Sequence, residues 1–125
     1  MTQRFDSEVA WLAGLLEGEG SFVHTRLRRA PRGIYHYARV QLSMTDRDVV
    51  ERAVEVVGRL CGKRVNIYSR ARHSKEWKPI YQICWHGETA LSVMKAVRPF
   101  MGHRRGAAID ALLSQFDQRR EARAS

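Results

Sequence analysis

Glu17 and Glu19 stand at the end of a segment, residues 6–18, that reads as a helix stopped by Gly18-Glu19-Gly20. The placement is electrostatically poor, because the negative end of a helix dipole disfavours anions. Gly14 and Gly18 interrupt the same helix four residues apart, each at about 1 kcal/mol relative to alanine. Residues that weaken local structure often mark function. Positions four apart share a helix face, so the two glycines make a bare strip. Either the strip packs closely within the chain, or it receives a second copy of the same helix. In the second case two Glu19 side chains meet at the end of the seam. Paired carboxylates are hard oxygen ligands that can hold divalent ions over phosphates.

Other elements must position that helix end. Asp6 or Ser7 can cap the helix, and Trp11, Leu12, Leu15 and Leu16 give it an apolar surface. Residues 21–29 and 35–45 read as strands around the turn Ala30-Pro31-Arg32-Gly33. In the second strand Val40, Leu42 and Met44 alternate with Arg39, Gln41 and Ser43, which predicts one dry and one wet face. Thr45 or Asp46 caps a helix over 47–61, where Val50, Val54 and Val57 repeat at helical spacing and Gly62 stops it. Residues 63–70 and 78–86 read as a second hairpin around the polar loop 72–76. Helices over 88–97, ended by Pro99, and 104–118 follow. The fold class is α+β, an antiparallel four-stranded sheet backed by helices. Residues 1–118 form one domain, and the basic tail 119–125 is expected to fray. The αββ order recurs once, a weak structural repeat.

Twenty-two Lys and Arg against thirteen acids give a net charge of +9 in 125 residues. Such a balance favours polyanions, and the clusters at 26–39, 63–72 and 98–105 are mostly Arg, which suits phosphate and guanine. Nucleic acid is therefore the expected partner, ahead of a membrane. No apolar run reaches the roughly 18 residues of a membrane span, and no signal peptide is legible; a cytoplasmic setting, in a bacterial or phage-infected cell, is expected. Cys61 and Cys84 lack CxxC spacing and the five histidines are scattered, which argues against a structural zinc site.

The segment Leu12-Ala13-Gly14-Leu15-Leu16-Glu17-Gly18-Glu19-Gly20 resembles the LAGLIDADG motif of homing endonucleases. It departs from that motif at Leu16, at Gly18 and in having Glu for Asp at 17 and 19. The αββαββα order, Thr45-Asp46-Arg47-Asp48-Val49 and Arg98-Pro99-Phe100-Met101-Gly102-His103-Arg104-Arg105 are also similar to the family. The resemblance implies a homodimeric endonuclease that uses Mg2+ to cut double-stranded DNA at a long, near-palindromic site. It implies Glu19 as metal ligand, aided by the Gly18 backbone carbonyl. Glu17 becomes a structural acid that bonds backbone or the partner helix. Asp46 orients the attacking water, and Arg104, with Arg105 in reserve, faces the scissile phosphate. Leu12, Ala13, Gly14, Glu17 and Gly18 form the dimer interface. A further basic residue of some relatives falls on Val50 here, so that group is absent or supplied by Lys63 or Arg47.

The wet face of the sheet is expected to read DNA. Tyr37, Arg39, Gln41 and Ser43 share one face of the second strand, and Arg64, Asn66, Tyr68 and Arg70 one face of the third, with Gln82 on the fourth. On the first strand a buried Phe22 would turn His24, Arg26 and Arg28 inward, so either a bulge breaks the phase or the strand projects beyond the core. Arg26 and Arg28 are the chosen contacts. The competing function is a non-catalytic nucleic-acid binder on the same scaffold, such as an intron maturase or a regulator. Gly33-Ile34-Tyr35 spells half of a GIY-YIG nuclease signature, but the other half is missing, and the histidines lack a ββα-metal pattern.

Overall fold

The computed structural model describes residues 3–29, 33–70 and 77–124. The turn at 30–32 and the loop at 72–76 lie outside the described residues. The order is α1 (Gln3–Glu19), β1 (Gly20–Arg29), β2 (Gly33–Met44), α2 (Arg47–Cys61), β3 (Tyr68–Arg70), β4 (Ile80–His86), α3 (Gly87–Val97), a 3-10 turn (Arg98–Phe100) and α4 (His103–Ala124). The strands form one antiparallel sheet in the order β1-β2-β4-β3. No described helix is long and apolar enough to cross a membrane.

The alternation in β2 is realised. Ala38, Val40 and Leu42 are fully buried, while Arg39, Gln41 and Ser43 keep partial exposure on the opposite face. The core lies between the dry face and the helices: Leu12 and Leu16 of α1, Val50, Val56 and Val57 of α2, Ile83 and Trp85 of β4, Val93 and Met94 of α3, and Ile109 of α4 are all inaccessible. This burial outweighs the poor local propensity of α1, which runs through Gly14 and Gly18 to Glu19. Its end lies one residue beyond the expected stop.

Helix α2 spans the expected residues. It ends in a left-handed residue, Gly62 (φ 76°), whose N–H donates to the Gly58 carbonyl at 2.8 Å. A Cβ is disfavoured at that φ by about 1–2 kcal/mol. Gly62→Ala should therefore lower unfolding free energy by about 1 kcal/mol, seen as a lower urea midpoint at unchanged slope; an unchanged midpoint would remove the argument.

Besides the earlier start of α1 at Gln3, which puts Asp6 and Ser7 inside the helix and not at its cap, two downstream boundaries differ more. Helix α4 continues to Ala124, so the tail expected to fray from 119 is helical. Strand β3 is only three residues long, and 63–67 form no ladder. Val65 and Ile67 still pack on the core, so the alternation reflected burial alone and not pairing.

Candidate active site and nucleic-acid interface

Gly20 explains why the helix ends where it does. A Cβ there would lie 2.8 Å from Leu16 Cδ2 and 2.9 Å from the Leu16 carbonyl oxygen. Only glycine lets the chain pass from α1 into β1 so close to the preceding turn. Gly14 and Gly18 are different: they are exposed, and a Cβ on either meets nothing within 4 Å. Close packing within the chain therefore does not account for them. Ser7, Ala10, Gly14 and Gly18 line one accessible face of α1, flanked by partly buried Trp11 and Leu15. Leu12 and Ala13, expected at a dimer seam, are fully buried in the single chain and belong to its core.

Two contacts fix the end of α1 against the start of α4. Glu17 accepts a hydrogen bond from the Gly102 backbone N–H at 3.3 Å, and a Cβ on Gly102 would come within 2.8 Å of the Glu17 carboxylate. Arg105 donates to the Gly20 carbonyl at 2.7 Å. Glu17 thus bonds backbone across the two helices. Arg105, expected in reserve for phosphate, is committed to holding the helix–strand junction. That leaves Arg104 as the exposed cation of the pair, with no hydrogen bond or ion pair among the described residues. Spacing alone did not reveal this clasp, because its partners are 85 residues apart.

Glu19 and Asp46, distant in sequence, line the same open cavity of about 300 Å³ with Ser43, Met44, Thr45 and Ile80. Both carboxylates are exposed and accept no hydrogen bond among the described residues. Asp46 occupies the N-cap position of α2 without capping it. A capping side chain would stabilise the helix by about 1 kcal/mol, so the free carboxylate stands out as a local concession. These are hard oxygens of the kind that bind divalent cations, and Gly18 does not line the cavity. Among the described residues no three His, Cys, Asp or Glu side chains cluster as a metal cage. Val50 is fully buried, Arg47 pairs with Glu51 at 2.8 Å, and neither Arg47 nor Lys63 lines the cavity.

The wet sheet face adjoins this cavity through Ser43. Strand register puts Ser21, Val23, Thr25 and Leu27 of β1 on that face with Gln41, Arg39, Tyr37 and Tyr35 of β2. Across the sheet, Gln82, Cys84 and His86 of β4 oppose Ser43, Gln41 and Arg39, and Tyr68 opposes Gln82. Arg70 shares the phase. Cys84 and His86 were missed, although they follow Gln82 at period two; their Sγ and Nε2 lie 3.3 Å apart.

Four expected contacts fall elsewhere. The β1–β2 register is unbroken from Gly20 to Arg29, so no bulge intervenes. Arg26 and Arg28 keep the helix-side phase of Phe22 and His24 and are exposed because the hairpin projects beyond the core. Arg64 turns back over α2, bonding Glu55 at 3.2 Å and lying where a Cβ on Gly58 would be; without a β3 ladder at 64, nothing imposes strand alternation on it. Asn66 is exposed but outside the sheet. On the helix side, His24 stacks on His36 with ring nitrogens 2.8 Å apart, and α4 covers His24 with Gln115 and Phe116. Burial, then the charges of Arg119 and Arg26, lower the pKa of His24.

No protein-family model and no curated protein matches the sequence. Solved structures do match the fold. The homing endonuclease I-CvuI in complex with its target superposes with a TM-score of 0.69 at 14% identity, over 90% of this chain and 68% of that one. The group I intron-encoded homing endonuclease I-CeuI, complexed with DNA, gives 0.60 at 18% identity, over 94% and 59%. The I-LtrWI LAGLIDADG homing endonuclease bound to target DNA gives 0.62 at 14% identity, over 91% and 39%. The nonapeptide on α1, the four-stranded sheet and these superpositions agree: the chain has the LAGLIDADG homing endonuclease fold.

Proposed function

We propose that the protein is a homodimeric homing endonuclease that hydrolyses double-stranded DNA with Mg2+ at a long, near-palindromic site. The observation that carries this reading is the shared cavity of Glu19 and Asp46 at the end of a glycine-lined helix face. Two such helices related by a two-fold axis bring two cavities together, one for each DNA strand. The glycine strip, where an added Cβ meets nothing within 4 Å, supports a second helix packed against it. Beside the glycine face, a groove of about 470 Å³ lined by Trp11, Leu15, Val49 and Arg52 offers further room for a partner.

Within each site Glu19 and the Gly18 carbonyl would hold the ion, which when bound would supply Lewis-acid stabilisation of the charge developing on the phosphate oxygens. Asp46 accepts a hydrogen bond from the attacking water and orients it. Arg104 offsets charge on the phosphate. Arg105 and Glu17 act through position alone, by fixing the helix end. Tyr37, Arg39, Gln41, Ser43, Tyr68, Arg70 and Gln82 face the major groove as a β-ribbon reader would. Solved structures that share the fold are homing endonucleases in complex with DNA, I-CvuI among them with Mg or Ca present.

The direct test offers the protein a plasmid in which the flanks of its own gene are joined without the insert. A double-strand break with Mg2+ that disappears with EDTA is expected. Binding without cutting would favour the non-catalytic reading, which the buried Val50 in place of a basic residue keeps in play. Affinity for DNA should also fall by about a hundredfold or more between 50 and 200 mM salt, as four or more neutralised phosphates require; a flat salt response measured by gel shift would argue against the basic sheet.

A further inference from the structure

The wet sheet face changes chemistry along its length. Outward from the Glu19 cavity β2 presents Ser43, Gln41, Arg39, Tyr37 and Tyr35 in turn. β1 presents Ser21, Val23, Thr25 and Leu27, and Arg29, opposite Gly33, continues the phase at the tip. The inner part of β2 therefore carries hydrogen-bonding groups, and further out Leu27, Tyr35 and Tyr37 present aliphatic and aromatic surface. Leu27 and Tyr35 are 42% and 46% exposed. Tyr35 stacks on Tyr37 with ring centroids 5.8 Å apart, and Tyr37 tilts against His86 at 5.6 Å. Leu27, Tyr35, Tyr37 and His86 line an open hollow of about 280 Å³. The rings brace one another, so the hollow is held in shape before anything enters it.

In a major groove the one apolar feature that distinguishes base pairs is the thymine C5-methyl group. Ser43 and Tyr35 lie eight residues apart on one strand, roughly 27 Å at a rise of about 3.4 Å. That span corresponds to about eight base-pair steps of roughly 3.4 Å. The apolar end thus falls on the outer part of a half-site and the polar part near the cut.

Resting on the reading that this face lies in the major groove, we propose that Leu27, Tyr35 and Tyr37 recognise thymine methyl groups at the outer end of each half-site. Arg39 and Gln41 select guanine and adenine further in. The occupant of the apolar hollow is DNA because the hollow is continuous with Arg39 and Gln41 on the same strand face; any duplex lying along β2 covers both.

The test begins with selection from a randomised duplex library by the intact protein, followed by replacement of each thymine in the consensus by uracil, which removes only the methyl. Outer thymines should lose about fourfold in affinity, the loss of one buried methyl group, while inner positions stay unchanged. In Leu27→Asn and, separately, Tyr35→Ser, both at exposed positions, the uracil penalty should shrink or vanish at unchanged thermal stability. Selection that returns no sequence preference would overturn the DNA-reading proposal and this one with it. A consensus with G·C at the outer positions, or outer thymines replaceable by uracil without loss, would overturn the methyl readout alone.

Discussion

Glu19→Gln is expected to lower the single-turnover rate of DNA cleavage by about a thousandfold or more, while the Kd for the uncut site stays within about threefold. The amide keeps the shape of the side chain but removes the negative charge that holds a divalent ion. Several kcal/mol of transition-state stabilisation, at 1.36 kcal/mol per tenfold, sets the size of the loss. Folding should not suffer, since the Glu19 carboxylate is exposed and bonds to nothing among the described residues. If anything, loss of an anion at a helix C-terminus is mildly favourable. Affinity survives because it rests on the sheet face. Asp46→Asn should cost less, on the order of a hundredfold, as expected for a group that orients water. Cutting by Glu19→Gln at even a tenth of the parent rate would take Glu19 out of the metal site.

Gly14→Leu separates the two meanings of the glycine strip by the sign of its effects. In the single chain a Cβ at Gly14 meets nothing within 4 Å, so replacing glycine by a good helix former should stabilise the isolated fold by about 1 kcal/mol. At a helix–helix seam both copies carry the added side chain into the same close approach. Overpacking then costs about 3 kcal/mol or more, roughly a hundredfold in the dimer dissociation constant. The expected variant melts higher yet sediments as a monomer at micromolar concentration, and it no longer makes double-strand breaks, because the two Glu19 sites do not meet. A higher melting point with unchanged association and cutting would show that the strip faces solvent.

Local patterning made much of the molecule legible. Helical spacing located α2, where Val50, Val54 and Val57 bury one face and Gly62 ends the helix in the left-handed region. The period-two pattern of Val40 and Leu42 against Arg39 and Gln41 identified the two faces of β2, because a sheet backed by helices buries every second residue. The pattern failed where burial and pairing part company. Around Val65 and Ile67 the chain is half-buried without a ladder, so the phase expected for Arg64 had no sheet to enforce it. On β1 the phase held, but the hairpin outruns the helices, and Arg26 and Arg28 are exposed on the side where residues nearer the core are covered.

The stretch from Leu12 to Gly20 shows where sequence stops and tertiary structure begins. Its residue types determine, without any fold, that a helix ends in two acids and carries a bare glycine strip, since helical periodicity is local. Which of these residues face outward is not local. Leu12 and Ala13 are inaccessible because they belong to the core that α1 shares with the sheet and the other helices, whereas Gly14 and Gly18 face open space. The pairing of Glu19 with Asp46 in one cavity, and the tie of Glu17 and Arg105 to residues 85 positions away, were decided only when the packed core brought distant segments together.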